Sequence, residues 1–428
     1  MEAYLINLLL YNAFLVPVIF FSVLYYMLAF TSFFVKAPRY SFPDVKDGQL
    51  PNVTIQIPVY NDPVAVRCIK KCLNFNYPKN KYHIIVADDS NDGITPKILD
   101  GFVKAKRNVR IVRRATRKGF KSGALNNTLK HCKGDIIVIF DSDFVPKKDF
   151  LRKLVTPFTF DKELAIVQSR MSFVNYHQNI ISKFAAALLI VYHQCIMPLQ
   201  NKTKTVFFCG TGGAIKKDVL LSVGGWNEKS VTEDADLSLL IMEKGYKNLY
   251  ISNLEVAGEV PFTLRSFLRQ QMRWAYGLTR VFMDHWKKIL FSPSFTAPQR
   301  AMMIFMTTGY VITPFVLGAA ITGQLGWIIT PPKPLLLSDL INFLKMLLLS
   351  SGFVALGVMG LHRAGKSRDI PKLYIAAFTV GIVLSAANFV AFVRSVRNMR
   401  AGWIRTPKMG SSFIIEFFKN AFRRKNNK

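Results

Sequence analysis

Residues 3–35 carry no charged side chain, and neither do residues 301–332. Runs of that length do not suit a loop or the edge of an ordinary core. About 20 mainly apolar residues make a helix long enough to cross the hydrocarbon of a bilayer, and a helix satisfies its own backbone hydrogen bonds there. Two further apolar stretches follow, at about 346–361 and 373–393. The first stretch does not read as a cleavable leader. It is too long, Glu2 stands where a basic cluster would be, and no small-residue cleavage site follows.

Between the first two stretches lies a polar segment, 38–300, large enough for its own hydrophobic core. The chain carries 57 Lys and Arg against 26 Asp and Glu, a formal charge of +31. Such a charge suits nucleic acid, but the sequence holds no RNA- or DNA-binding module, so nucleic acid is set aside as a partner. The basic residues crowd instead beside the apolar stretches, at 363–372, 394–408 and 423–428. That pattern fits loops kept on the cytoplasmic side of a lipid bilayer with an anionic leaflet. Five cysteines are present. Cys68 and Cys72 are spaced for one helix face, but no second pair completes a zinc site, and the chain reads as a reducing-side protein.

Within the polar segment, strands are expected at 53–58, 82–87, 109–113 and 135–140, alternating with helices at 67–73 and 121–132. That order predicts an α/β fold with a doubly wound, mainly parallel sheet, whose ligands bind beyond the carboxyl ends of the strands. Two strands run straight into acidic clusters: Asp88-Asp89-Ser90 and Asp141-Ser142-Asp143. One strand-end aspartate often caps the next helix; two clusters at one edge favour a site. Residues 184–197 are apolar and read as a buried or an interfacial helix, and the aromatic and basic segment 264–288 carries the same two readings.

Asp141 and Asp143 stand two apart, as carboxylates that share Mg²⁺ or Mn²⁺ with substrate phosphates do. Lys118 and Lys121 sit in RKGFKSGALNN, a Gly-containing turn before a helix; this reads equally as a phosphate cradle or a solvated loop. Thr232-Glu233-Asp234 reads first as a helix cap, with a general base as the other reading. Gln270, Arg273 and Trp274 share one helix side, where Arg suits phosphate and Trp suits a sugar face or the lipid boundary.

Taken in order, YN, DDS, KxGALN, DSD, FFCGTGG, TED and QQMRW resemble the processive family-2 glycosyltransferases, the cellulose, hyaluronan and mannan synthases. The resemblance covers about 54–279. Within that family the run QSRMSFVN at 168–175 is similar to that of the cellulose-synthase-like A group, the mannan and glucomannan synthases, with Met171 where tryptophan is usual. The resemblance implies a GT-A fold and inverting transfer of a hexose from GDP-mannose or UDP-glucose to a growing β-glycan. It implies nucleoside contacts at Tyr60 and Asp89, and a diphosphate contact at Lys121. Asp141 would hold nucleotide and metal, with Asp143 as the direct metal ligand. Asp234 would be the catalytic base, with Glu233 beside it as a substrate-binding residue. Cys209, Gly210 and Thr211 would shape the acceptor entrance, Gln270 and Arg273 the donor–acceptor junction, and Trp274 the stacking surface under the acceptor sugar. Residues 403–408, including Thr406 and Lys408, resemble the family's gating loop.

The expected organisation is a membrane helix at 1–36, a cytosolic catalytic domain at 37–300, transmembrane or re-entrant helices at 301–396, and a gating-like basic tail at 397–428. The protein is thus expected in the cell membrane, crossing it more than once. If all three later stretches crossed, the tail would lie outside, against its charge. The stretch 373–393 is therefore expected to lie in the interface or re-enter, and 413–422 to form a further interfacial helix. Partners implied are a nucleotide sugar, a glycan acceptor and the bilayer, with room for accessory secretion subunits. A single-addition enzyme making a glycolipid is the alternative.

Overall fold

The computed structural model describes residues 2–35, 39–329, 334 and 336–399. In chain order its elements are α1 (Glu2–Phe34), β1 (Val53–Val59), α2 (Ala65–Leu73), β2 (Tyr82–Asp88), α3 (Thr95–Val103), β3 (Val109–Val112), α4 (Phe120–Leu129), β4 (Ile136–Ile139), α5 (Phe150–Val155), α6 (Pro157–Phe160) and β5 (Leu164–Phe173). There follow α7 (Ile180–Val191), a π-helical turn (Tyr192–Ile196), α8 (Met197–Thr203), β6 (Gly213–Lys216), α9 (Lys217–Ser222), α10 (Glu233–Glu243), β7 (Lys247–Gly258) and α11 (Leu264–Phe291). The last are α12 (Ala297–Thr308), α13 (Ile312–Ile329), α14 (Leu337–Ser350), α15 (Gly352–Arg363) and α16 (Ile370–Val396).

The seven strands form one sheet in the order β3-β2-β1-β4-β6-β5-β7. β1 pairs parallel with β2 and β4, and β6 runs antiparallel to β4 and β5. The four strands expected from sequence are all present. In β1, β2 and β4 the runs of Ile and Val are buried on both faces, as a sheet covered by helices on each side requires, whereas β3 is a half-exposed edge strand. Because β1, β2 and β4 are parallel, Asp88-Asp89 and Asp141-Ser142-Asp143 emerge along one edge. Gly134 enters β4 so close to β1 that a Cβ there would lie 2.4 Å from the backbone nitrogen of Thr54. Backbone has nowhere to retreat inside a sheet. Gly134→Ala should therefore cost about 1–3 kcal/mol, seen as a lower melting temperature of the detergent-solubilised protein; an unchanged melting temperature would contradict this close approach.

Among the described residues, four helical segments are long and apolar enough to cross a membrane, Glu2–Phe34, Ile180–Thr203, Ala297–Ile329 and Ser367–Val396, or five if the bent pair Leu337–Ser350 and Gly352–Arg363 counts as one span. The Ile180–Thr203 segment is unlike the rest. Its apolar window is 56% buried inside the protein, against 11–17% for the others. α1 and α13 run antiparallel: Asn7 Nδ2 donates to the Thr322 carbonyl at 3.1 Å, and Phe14 lies against Gly318. α15 runs parallel to α1, with the Gly352 N–H donating to Ser22 Oγ at 2.7 Å and Arg363 donating to the carbonyls of Ser32 and Val35.

Among the later helices, α14 and α15 meet at a bend of 61° around Ser351. α16 is a single helix through 373–393. Its sequence has no internal glycine–serine pair to break it, whereas Ser350-Ser351-Gly352 supplies one. Both ends of α16 are fastened to the sheet-containing part of the chain. Asp369 accepts from Lys183 Nζ at 2.7 Å and from the Tyr176 hydroxyl at 2.8 Å. At the other end the Ser395 hydroxyl donates to the Tyr276 carbonyl at 3.0 Å. The gating-like segment with Thr406 and Lys408, and the helix expected at 413–422, lie outside the described residues.

Candidate active site

The parallel edge of the sheet opens into one cavity of about 780 Å³. Tyr60, Asp89, Lys121, Asp141, Asp143, Cys209, Thr211, Glu233, Asp234, Gln270, Arg273 and Trp274 all line it. Chain segments far apart in sequence thus deliver the expected residues to one place. Lys118 does not join them; its side chain is exposed and only its carbonyl is used, accepting from Arg114.

At one end, Asp89 follows β2 and is held by Arg114 through two charge-assisted bonds, Nη2 to Oδ2 at 2.6 Å and Nε to Oδ1 at 2.8 Å. The Arg117 guanidinium lies 3.3 Å from the centre of the Tyr60 ring, a cation–π contact. Sequence reading missed both arginines. The signal was present in the run RRATRKGF, but their partners are remote in sequence. The result is an aromatic face and a carboxylate side by side at the strand edge.

In the middle, Lys121 Nζ donates to Asp141 Oδ1 at 2.8 Å and to the Gly210 carbonyl at 3.0 Å. Burial works against its charge, but Asp141, Glu233 and Asp234 outweigh that and hold the ammonium above its ordinary pKa. The Asp141 N–H donates to Thr211 Oγ1 at 2.9 Å. The Glu259 N–H donates to Asp143 Oδ2 at 2.7 Å, which fixes the Asp143 carboxylate at the cavity wall. Ser142 donates to Asp62 at 2.6 Å, away from that pair.

At the far side, α10 begins with Glu233 and Asp234. Thr232 occupies the cap position, but its hydroxyl makes no capping bond, which corrects the capping reading. Thr232 packs instead against Gly277 of α11. Burial pushes the Asp234 carboxyl up, while Lys121 and Arg273 pull it down. Burial likewise pushes Glu233 up, to about 7. Gly210 has φ +74°, and a Cβ there would sit 2.8 Å from Asp234 Oδ2, so only glycine lets the loop reach the carboxylate. The Cys209 N–H donates to Gln168 Oε1 at 2.9 Å, and burial pushes its thiol up, away from nucleophile chemistry. An aromatic-plus-carboxylate end, a lysine beside two aspartates, and a buried carboxylate with raised pKa form one continuous wall.

A profile of the glycosyltransferase-like family 2 matches residues 51–277, more than half of the chain. Among curated proteins, glucomannan 4-beta-mannosyltransferase 2 of Arabidopsis thaliana is 31% identical over 263 residues, covering 57% of this chain and 48% of that protein. Glucomannan 4-beta-mannosyltransferase 7 of the same plant is 33% identical over 245 residues, covering 55% and 44%. The chain spans about half the length of most of these relatives; a probable glucomannan 4-beta-mannosyltransferase 9 of Oryza sativa subsp. japonica matches further, at 26% identity over 89% of this chain and 73% of its own. Among solved structures, a mannosyltransferase from Pyrobaculum calidifontis, in complex with GDP-Man and Mn2+, superposes with a TM-score of 0.65 at 19% identity, over 91% of this chain and 99% of that one. That likeness establishes the fold. The family match takes in every site residue from Tyr60 to Trp274, and by it the chain belongs to the glycosyltransferase-like family 2.

Proposed function

We propose that the chain transfers a hexose, mannose before glucose, from a nucleotide sugar to an acceptor hydroxyl with inversion at the anomeric carbon. The observation that carries this is Lys121 bridging Asp141 and the Gly210 carbonyl, with Asp234 on the far side of that glycine. The names of the relatives favour GDP-mannose as donor. Tyr60 with Arg117, and Asp89 with Arg114, receive the nucleoside. Lys121 takes the diphosphate, while Gln270 and Arg273 stand at the junction and Trp274 under the acceptor. Cys209, Gly210 and Thr211 shape the acceptor's approach.

Among the described residues no cluster of three or more His, Cys, Asp or Glu could cage a metal. The residues present fit the other arrangement, in which one or two carboxylates bind Mg²⁺ or Mn²⁺ and substrate phosphates fill the shell. Asp141 and Asp143, both on the cavity wall, would hold it. A bound metal supplies charge neutralisation on the departing diphosphate. Asp234 takes the acceptor's proton as its oxygen bonds to the anomeric carbon, and the bond from that carbon to the diphosphate breaks. No covalent enzyme intermediate is required.

The use of a nucleotide sugar and the basic segments beside the apolar stretches support a catalytic part on the cytosolic side of the cell membrane. α16, fastened to that part at both ends, then lies along the interface and does not cross. Purified protein in detergent, given radiolabelled GDP-mannose, UDP-glucose or UDP-N-acetylglucosamine, tests the reading. Label should move from GDP-mannose, stop with EDTA and resume with Mn²⁺ or Mg²⁺. Preference for UDP-N-acetylglucosamine, or transfer undiminished by EDTA, would overturn the donor or the metal assignment respectively.

A further inference from the structure

The cavity does not end at the catalytic residues. It continues between α1, α12, α13, α15 and α16 as an apolar limb walled by Tyr25, Phe305, Val316, Phe353, Phe378 and Ile382. The limb is blind. Its lining reaches no further out than Val18 on α1 and Val316 on α13. Beyond that level the two helices are closed on each other: Phe14 fills the place of a Gly318 side chain, Tyr11 lies at Gly323, and Asn7 bonds to Thr322. From Val316 to the end of α13 at Ile329 is about 20 Å of helix at 1.5 Å per residue. A glycan passing outward would need an opening through that stretch, and aromatic and hydrogen-bonding groups along it.

The limb is also open sideways. Phe353, Phe378 and Ile382 line it and are still 41%, 45% and 50% exposed, so it communicates with the apolar outer surface of the helices. At its inner end it meets Arg273, Lys121 and the half-buried Asp234. Near that end Asn388, 4% exposed and also lining the cavity, has an Oδ1 with no hydrogen-bond partner among the described residues. The whole is therefore amphipathic: polar and catalytic at one end, hydrocarbon-like along its length, closed at the tip and accessible from the side. Buried apolar walls favour an apolar occupant roughly in proportion to area removed from water.

We propose that the acceptor is a membrane lipid with a hydroxyl-bearing head, its hydrocarbon chain seated in the limb and its hydroxyl at Asp234. The proposal rests on the hexosyl-transfer reading and names the acceptor for it. The head oxygen bonds to the anomeric carbon, its proton passes to Asp234, and the nucleoside diphosphate leaves with the electrons of the broken bond. One sugar is added per lipid, and the product withdraws sideways into the bilayer.

The test uses the full chain in nanodiscs with radiolabelled GDP-mannose and, in separate arms, a long-chain ceramide, a long-chain diacylglycerol and a β-mannan oligosaccharide. The expected result is label in the organic phase as a single product from a lipid arm. Shortening that lipid's chain from about sixteen to about four carbons should lower kcat/KM about 100-fold or more. Gly381 lines the limb, and a Cβ there would meet nothing within 4 Å, so Gly381→Phe projects a ring into the limb without a clash at its base. This variant should keep wild-type GDP-mannose affinity by calorimetry, which reports folding, and lose about tenfold or more in kcat/KM for the lipid. A water-soluble ladder from the oligosaccharide with blank lipid arms would overturn the lipid and leave hexosyl transfer standing, as would indifference to both chain length and Gly381→Phe. Failure to transfer label to any acceptor, water included, would overturn hexosyl transfer itself.

Discussion

Asp234→Asn should cut sugar transfer by about 10²–10⁴-fold while leaving donor affinity near wild type. The substitution keeps the shape of the side chain. It keeps an acceptor for the Ala235 N–H, which donates to Asp234 Oδ1 at 2.9 Å, and it keeps the fit against Gly210. What it removes is the one function assigned to the group, taking a proton. The carboxyl suits that task because burial raises its pKa from an ordinary value, and a base gains strength as its pKa approaches the working pH. Lys121 keeps its bond to Asp141, so the diphosphate contact survives the change. The measurement is an initial rate at saturating GDP-mannose together with a calorimetric Kd. A rate above one tenth of wild type would move the base to another group, and Glu233, with its carboxyl pushed up to about 7, is the neighbour to replace next.

Much of this site is legible in the sequence because the chemistry sits at strand ends. Ile136–Ile139 is a β-branched run that cannot easily be anything but a buried strand, and parallel order then puts Asp141 and Asp143 at the ligand edge. The QxxRW residues are legible for a similar reason: helical spacing alone puts Gln270, Arg273 and Trp274 on one side. What sequence conceals is whatever depends on a distant partner. Arg114 and Arg117 read as part of a basic loop until Asp89 and Tyr60 are seen beside them. Thr232 reads as a cap until α11 brings Gly277 against it. His285 Nε2 meets Asp236 at 2.5 Å across two helices, with no local pattern to announce it. Hydropathy likewise counts apolar residues but not where a helix ends in space. α16 is long and apolar enough to cross a membrane, and only the structure shows that Asp369 and Ser395 tie both of its ends to the sheet-containing part of the chain. The blind end of the cavity depends on helix pairing and is silent in composition.

Lys121→Met should raise the KM for GDP-mannose by about 10–100-fold and move the acid limb of the pH profile upward. The first effect follows from losing a charge-assisted bond to the diphosphate, worth about 1.5–3 kcal/mol. Methionine matches the length of the stem, so packing changes little. The second effect follows from what surrounds the ammonium. Lys121 is the foremost charge opposing burial at both Asp234 and Glu233, and it pulls both carboxyls down. Without it both pKa values rise. Asp234 acts in its ionised form, so a higher pKa leaves less base at neutral pH, and the rate at saturating donor falls there. Raising the pH through the new pKa restores ionisation, and the rate should recover toward wild type on the alkaline side. A profile of kcat and of kcat/KM against pH separates the two roles. A raised KM with an unmoved acid limb would confine Lys121 to the diphosphate and break its electrostatic link to Asp234. A moved limb with an unchanged KM would do the reverse: Lys121 would hold its place between Asp141 and the Gly210 carbonyl to set the charge of the base, and the diphosphate would be gripped by other groups on the wall, with Arg273 the cation nearest the junction to test.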